Sequence, residues 1–156
     1  TTEIAKLAAA AGEGNPITPQ LVGQFVGLSR EEKVWGIQST IAQGTTEQAL
    51  GHLRYVLDVS REPTVLVSWA LVDLARKTAA ASAAIAAGAN PGDISKALKL
   101  WGDSARAITD TARRTKPRAA LEVFRRAVEA DVRQKTGLGD PERTLERLVV
   151  QMTMSR

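Results

Sequence analysis

Apolar residues recur at helical spacing along nearly the whole of this 156-residue chain, and no segment shows the two-residue alternation of a half-buried strand. Prolines and glycines divide the pattern into separate helices. The longest predicted helix runs from about residue 63 to 87, a second long helix begins at Pro117, and the last follows Asp140 with proline in its first position. The pattern therefore predicts an all-α helical bundle.

A break between two parts of the chain is predicted near residue 29. Ser29 and Glu32 have the spacing of a capping box, and they follow a Gly-Leu link after the first predicted helices. We expect residues 1–28 to form a small helical N-terminal remnant and residues 29–156 to form the bundle. The chain opens at Thr1 within a helical pattern, which is expected of a piece of a longer protein.

The same periodicity predicts which side chains are buried. Trp35 and Trp101 are expected in the core rather than at an interface. In the next-to-last helix, the predicted apolar stripe consists of Leu121, Phe124, Ala127 and Val128. Asp93 is expected to cap a short helix after an Asn-Pro-Gly turn.

The sequence lacks the residues of the common catalytic and cofactor sites. There is no cysteine, His52 is the one histidine, and no phosphate-binding loop, dinucleotide fingerprint or nucleophile elbow occurs. We therefore predict no catalytic, cofactor-binding or metal-binding residues, no ATP binding and no intrinsic enzymatic activity. No signal peptide opens the chain, and its longest uncharged run, residues 78–92, is too short and weakly apolar to cross a membrane.

Positive charge is concentrated toward the end of the chain. Residues 1–100 carry 9 Lys and Arg against 9 Asp and Glu, whereas residues 101–156 carry 12 against 8, so the net charge of +4 arises there. Two interpretations remain open: a solvated basic face, or a surface near nucleic acid or an acidic partner. The candidate interface or DNA-proximal residues are Arg106, Arg113, Arg114, Lys116, Arg118, Arg125 and Arg126.

One segment of this basic region has the outline of a helix-turn-helix. Residues 91–115 read as a short helix, a glycine break and a basic helix. The second helix offers Ala105, Ile108 and Ala112, which cannot form hydrogen bonds to base edges. A stand-alone helix-turn-helix-like DNA-binding or helical interaction domain is therefore kept as the alternative function.

Asp131 falls on the apolar stripe of its predicted helix, four residues before Lys135. A local ion pair between these two side chains is one interpretation, and an exposed pair of this kind contributes little to stability. The other interpretation is that Asp131 accepts a hydrogen bond from a neighbouring helix and thereby fixes the fold.

The end of the chain carries an ordered set of short motifs. Residues 129–137 read EADVRQKTG, residues 139–141 read GDP, and residues 145–148 read LERL. Upstream, residues 31–35 read EEKVW and residues 66–71 read LVSWAL. In this order, and over essentially the whole chain, they resemble the C-terminal part of the delta subunit of the bacterial DNA polymerase III clamp loader.

That resemblance implies a role in assembly rather than in catalysis. In this family the C-terminal domain is part of a circular collar that holds the delta, delta-prime and ATPase subunits together as a ring for loading the sliding clamp. The chain would then be part of a DNA-directed DNA polymerase holoenzyme, a nucleotidyltransferase, in the bacterial cytoplasm. Residues 1–28 would be the end of the family's lid domain, and the sliding clamp would be reached only through an N-terminal domain outside this sequence.

The resemblance also places primed DNA near the collar. The basic residues are therefore expected to make weak, non-specific contacts with DNA. Some members of the family carry an aromatic residue in the tight turn where this chain has Leu138, and an aromatic ring can stack on an unpaired base. Leucine removes that stacking surface, which weakens the expectation of a direct contact with the template strand.

Overall fold

The computed structural model describes Pro16, Thr18 and residues 30–156, with the side chains of its first helix described from Val34 onwards. The chain divides into two units, Thr1–Lys33 and Val34–Arg156. Nearly all of the first unit lies outside the described residues, and so do the predicted helical remnant and the capping residue Ser29. The division predicted between residues 28 and 29 therefore stays a prediction.

Seven α-helices make up most of the described part of the chain, and none of its residues lies in a β-strand. The prediction of an all-α fold is confirmed. In chain order the helices are α1 (Arg30–Gln43), α2 (Thr46–Arg54), α3 (Thr64–Ala86), α4 (Pro91–Ala97), α5 (Gly102–Arg114), α6 (Pro117–Lys135) and α7 (Pro141–Met154). A single π-helical turn, Tyr55–Val59, prolongs α2.

Polar side chains and prolines set the starts of the helices. Before α7, Asp140 accepts a hydrogen bond from the backbone N–H of Arg143. At α4 the cap is Asn90, whose side chain accepts from the backbone N–H of Asp93. The prediction that Asp93 caps this helix is wrong, because proline at the first position starts α4 earlier and leaves Asn90 as the residue just outside it.

The longest helix, α3, lies at the centre of the bundle. It packs along α5 and α6 and contacts α4 and α7, while α7 also packs against α2 and α6. The buried face of α3 carries Val67, Leu71 and Leu74, and Leu145 and Val149 of α7 belong to the same core. Burying each such side chain stabilises the fold by roughly 1.5–3 kcal/mol before the entropy of ordering it is subtracted.

Two hydrogen bonds show how α3 and α6 run relative to each other. The Ser82 hydroxyl donates to the carbonyl oxygen of Thr115, just before α6, at 2.6 Å. The Ser68 hydroxyl donates to Oδ1 of Asp131, near the end of α6, at 2.9 Å. Because the earlier residue of α3 meets the later residue of α6, the two helices are antiparallel.

The buried face of α6 agrees only in part with the predicted one, which included Ala127 and Phe124. Ala120, Ala127 and Ala130 are buried, whereas Leu121 is 60% and Val128 39% exposed. The prediction that these two larger residues lie on the buried face is therefore wrong. Both sets of residues recur at helical spacing, and small side chains on the buried face let a neighbouring helix approach closely.

The two tryptophans expected in the core have different surroundings. Trp35 is half-buried and meets Trp69 edge to face, with ring centroids 4.9 Å apart. Trp101 is 78% exposed, so its predicted place in the core is wrong. It lies in the link between α4 and α5, where the φ angles of Lys99 (52°) and Gly102 (56°) are positive, and it therefore belongs to the apolar face of neither helix.

Candidate functional site

The seven basic residues predicted as an interface are all exposed, and they fall into three groups. The first group is Arg106 alone, in α5. The second group surrounds the link between α5 and α6 and consists of Arg113, Arg114, Lys116 and Arg118. The third group, Arg125 and Arg126, lies in the middle of α6. Among the described residues, Arg106, Lys116 and Arg118 have no hydrogen bond or ion pair through their side chains. What each group can bind depends on the partners it already has.

Arg113 and Arg114 are held by their own helix. Arg113 Nη1 lies 3.1 Å from Asp110 Oδ1, and Arg114 Nε donates to the Asp110 carbonyl oxygen at 3.2 Å. Cations in the last turn of a helix also complement the helix dipole. These two arginines therefore have a local structural role at the end of α5.

Arg125 and Arg126 share a carboxylate on their own helix. Glu122 Oε1 lies 2.9 Å from Arg125 Nη2 and 2.8 Å from Arg126 Nε. Arg125 also contacts a second carboxylate, since its Nη1 lies 3.3 Å from Glu129 Oε2. The hydrogen bonds from Arg125 and Arg126 lower the pKa of Glu122 to about 2, so its carboxyl group is ionised at neutral pH. To bind a phosphate, Arg125 and Arg126 would have to give up their carboxylate partners or hydrogen-bond to the phosphate and the carboxylate together.

An open groove between α6 and α7 gathers more arginines than the sequence predicted. The arginines that line it are Arg125, Arg126, Arg133, Arg143 and Arg147. Glu129 and Asp140 are the carboxylates in the same lining. The net charge of the lining residues is positive, and a planar guanidinium group can bind a phosphate through two parallel hydrogen bonds. This groove is therefore the best candidate for an anion-binding surface in the described part of the chain.

Three of these arginines, Arg133, Arg143 and Arg147, are not among the predicted residues. The prediction followed the densest run of positive charge, residues 106–126, whereas the groove is formed by two antiparallel helices joined by a tight turn. The spacing of the arginines could have indicated the groove. Arg126 and Arg133 are seven residues apart, and Arg143 and Arg147 are four residues apart. Each spacing puts both residues on one face of a helix.

The tight turn at one end of the groove depends on two glycines. Gly137 and Gly139 have φ angles of 70° and 85°, which other residues rarely adopt. Leu138 between them is 59% exposed and lines the groove. The side chain at this position is therefore accessible to whatever the groove binds.

Asp131 has both of the partners that the sequence left as alternatives. Lys135 Nζ lies 2.7 Å from its Oδ2, and the fully buried Ser68 hydroxyl donates to its Oδ1. The ion pair lies at the surface, since 55% of the Lys135 side chain is exposed. The hydrogen bond connects α6 to α3, so the carboxylate contributes to the packing of the bundle.

Across residues 30–156, no three histidine, cysteine or carboxylate side chains come together as a metal site requires. A cavity beside α3, lined by Leu74, Ala75 and Met152 among others, has no charged side chain in its lining. In the same part of the chain, no helix is long and apolar enough to cross a membrane.

Comparison with known protein families decides where this bundle belongs. A family model described as the DNA polymerase III delta subunit, C-terminal domain, matches residues 31–152. The chain belongs to the DNA polymerase III delta subunit family. The match extends from the beginning of α1 into the last turn of α7. The arginine-lined groove and the hydrogen bond between Ser68 and Asp131 therefore both lie within the C-terminal domain of the delta subunit family.

A solved structure has a similar fold. The Bacillus subtilis DNA clamp loader delta protein (YqeN) matches with a TM-score of 0.71 and 21% sequence identity, over 98% of this chain and 45% of that chain. At this identity the likeness shows a shared fold, and the chain spans less than half the length of the B. subtilis protein. No curated protein sequence matches this delta-family chain.

Proposed function

We propose that this chain is the C-terminal collar region of a clamp-loader delta subunit, which holds the loader subunits together as a ring for loading the sliding clamp during DNA replication. The observation that carries the proposal is the family match over residues 31–152. The shared fold of the B. subtilis clamp loader delta protein supports it. Exposed large apolar side chains such as Trp69 and Leu121 are also expected in a protein that works within an assembly.

The partners in this proposal are the ATPase subunits and the delta-prime-type subunit of the loader. The sliding clamp would be reached through an N-terminal domain of the delta subunit outside this sequence. The collar itself would contribute no catalysis to the polymerase holoenzyme. Its place of action would be the bacterial cytoplasm.

The groove between α6 and α7 is the surface that would face primed DNA. Its five arginines can bind phosphates, whereas the basic run of residues 106–126 is spread over two helices and the link between them. Arg125 and Arg126 already pair with carboxylates, so a phosphate would replace or share existing ion pairs and the gain in affinity would be small. Phosphate contacts carry no sequence information, so binding would be weak, salt-dependent and non-specific.

The helix-turn-helix alternative has less support. In that arrangement α5 would be the recognition helix, yet α5 buries Ala107, Ile108 and Ala112 in the bundle. The preceding helix, α4, has only 7 residues. Tight and sequence-selective DNA binding would be the observation in its favour.

Co-purification tests the assembly proposal. The full-length subunit that contains this chain is expressed together with the ATPase and delta-prime-type subunits of the same organism, and the mixture is analysed by size-exclusion chromatography with light scattering. We expect a single complex that loads a sliding clamp onto primed DNA when ATP is added. Elution of the subunit apart from the others would contradict the proposal.

A further inference from the structure

One side of α6 is exposed along the whole length of the helix. Six of its positions recur at alternating intervals of three and four residues, and all six are exposed. We call this row the α6 stripe. In order it consists of Arg118, Leu121, Arg125, Val128, Val132 and Lys135. The spacing is that of the contact positions in a two-helix coiled coil.

The apolar members of the α6 stripe lie outside the buried core of the bundle. Leu121 is 60%, Val128 39% and Val132 52% exposed, while the alanines on another side of α6 are buried. None of the three belongs to the buried core, and a polar residue on an exposed surface favours solubility. Exposed apolar side chains at coiled-coil spacing are therefore expected where a partner covers them.

The apolar surface continues onto α3. The hydrogen bonds of Ser68 and Ser82 make α3 and α6 antiparallel and bring the first turns of α3 level with the last turns of α6. Val65 is 49% and Trp69 55% exposed. Their helical phase, relative to Ser68, puts them on the outer side of the α3–α6 pair, which is also the side of the stripe.

The charges of the α6 stripe indicate which kind of helix fits it. Arg118 and Lys135 lie near its two ends and Arg125 between them, and the stripe contains no acidic residue. A second copy of the chain in antiparallel orientation would set Arg118 against Lys135, and a parallel copy would set each cation against itself. A helix with apolar residues and with Asp or Glu beside them would instead meet opposite charges at all three positions.

The ion pairs already present do not prevent such docking. Lys135 pairs with Asp131, and Arg125 pairs with Glu122 and Glu129. All three pairs involve exposed cations, and exposed pairs of this kind are weak and readily exchanged. Arg118 has no ion pair with any described residue.

We propose that the α6 stripe, together with Val65 and Trp69 of α3, is the docking surface for an acidic amphipathic helix of a neighbouring clamp-loader subunit. This inference rests on the proposed function. It specifies which face of the bundle meets the neighbour and what chemistry the neighbouring helix has.

Charged side chains introduced into the stripe test this surface. In the full-length subunit, Leu121→Glu and Val128→Glu are combined, and Val59→Glu, at a position that is 68% exposed and lies outside the stripe, is the matched control. Glutamate is a good helix former, so the helical circular dichroism of the double variant should match that of the wild type. We expect its affinity for the other loader subunits to fall at least about tenfold, as when apolar anchors of an interface are lost. The Val59→Glu variant should bind like the wild type.

A charge reversal tests the acidic character of the partner. Arg118→Glu replaces a cation that has no ion pair with the described residues, and it should weaken assembly. Arg118→Lys keeps the positive charge and should assemble like the wild type. Position 118 is exposed, so these two variants still test the docking surface if the Leu121→Glu, Val128→Glu variant loses its helical signal. Equal assembly by Arg118→Glu and Arg118→Lys would contradict an acidic partner.

The outcomes separate this inference from the function on which it rests. Normal assembly of the Leu121→Glu, Val128→Glu variant would overturn the inference and leave the proposed function standing. Failure of the wild-type subunit to assemble would contradict both. Sedimentation of the wild-type subunit as a dimer, with dissociation of that dimer in the double variant, would show that a second copy covers the stripe and would also overturn the inference.

Discussion

Ser68 on α3 and Asp131 on α6 are joined by a hydrogen bond of 2.9 Å in which the fully buried serine hydroxyl is the donor. The second carboxylate oxygen of Asp131 contacts Lys135 at 2.7 Å. One carboxylate thus connects a surface cation to a buried hydroxyl on another helix. Asp131 therefore matters more to the fold than its exposed ion pair alone would suggest.

Replacing Asp131 should destabilise the bundle. In Asp131→Ala, the buried Ser68 hydroxyl loses its acceptor, which we expect to lower the free energy of unfolding by about 1–3 kcal/mol. The matched control Lys135→Ala removes only the exposed ion pair and should change the free energy of unfolding by less than about 1 kcal/mol. Urea unfolding followed by circular dichroism measures both. Equal losses in the two variants would contradict this account.

The same contact should appear as an energetic coupling between the two helices. A double-mutant cycle that combines Ser68→Ala with Asp131→Ala is expected to give a coupling energy of about 0.5–3 kcal/mol, because the two residues are in direct contact. A parallel cycle of Ser68→Ala with Lys135→Ala serves as the control and should be nearly additive. Additivity in both cycles would mean that the hydrogen bond does not stabilise the packing.

Glu122 should titrate well below the other carboxylates. Hydrogen bonds from Arg125 and Arg126 lower its pKa to about 2 in the folded chain, against about 4.3 for a glutamate in an unfolded chain. Because the folded-state pKa is the lower one, ionised Glu122 favours folding above about pH 4.3, and this contribution is lost as the pH falls toward 2. Titration of the carboxyl carbon by NMR measures the pKa directly.

Two controls belong to the Glu122 titration. Arg125→Ala should raise the pKa of Glu122 toward its ordinary value, since Arg125 makes the largest contribution to the shift. High salt should act in the same direction, because the pair is exposed to solvent. A pKa near 4 in the wild-type protein at low salt would show that the two arginines are not held against Glu122 in solution.

Removing arginines from the α6–α7 groove should weaken DNA binding. Arg143→Ala combined with Arg147→Ala removes two exposed guanidinium groups from the α7 side. Each lost phosphate contact is expected to reduce the slope of log affinity against log salt concentration by about one. Fluorescence anisotropy with primed DNA over a range of salt concentrations measures that slope. The control combines Arg106→Ala with Arg113→Ala, which both lie outside the groove, and it should leave the slope unchanged. A lower slope in the control, with no change in the groove variant, would show that DNA contacts the run of residues 106–126 instead.

Trp101 should contribute little to stability although it is one of the largest side chains. Because it is 78% exposed, Trp101→Ser should change the free energy of unfolding by no more than about 0.5 kcal/mol. Leu71→Ala, at a fully buried position of α3, should cost about 2–5 kcal/mol. Thermal and urea unfolding compare the two. If Trp101→Ser lowered the free energy of unfolding nearly as much as Leu71→Ala, the indole ring would be buried in solution.

The ends of the helices could be predicted closely, because they depend on residues within a single turn. Pro117 begins α6 and Asp140 caps α7 as expected, and α3 ends at Ala86, one residue from the predicted end. Fixed φ angles, missing backbone donors and side-chain caps act locally. The error at α4 was of the same local kind, since Asn90 and Asp93 are both good capping residues and proline decides between them.

The faces of the helices could be predicted only in part, because burial depends on what packs against them. On α6, Ala127 and Leu121 were both predicted on the apolar stripe because both recur at helical spacing, yet only Ala127 is buried. The groove was missed for a related reason. Arg133 and Arg147 are 14 residues apart in the sequence, and they face one groove only because a Gly-Leu-Gly turn folds α7 back along α6.

The alanine face of α6 reverses the usual relation between the size of a side chain and its freedom to change during evolution. Ala127 is completely buried, so a side chain even one or two methyl groups larger would force α6 away from α3. Leu121 on the exposed side can be exchanged for any residue that its neighbour accommodates. Among natural relatives we therefore expect the smallest residues of α6 to vary least, and the largest to change in step with the subunit that covers them.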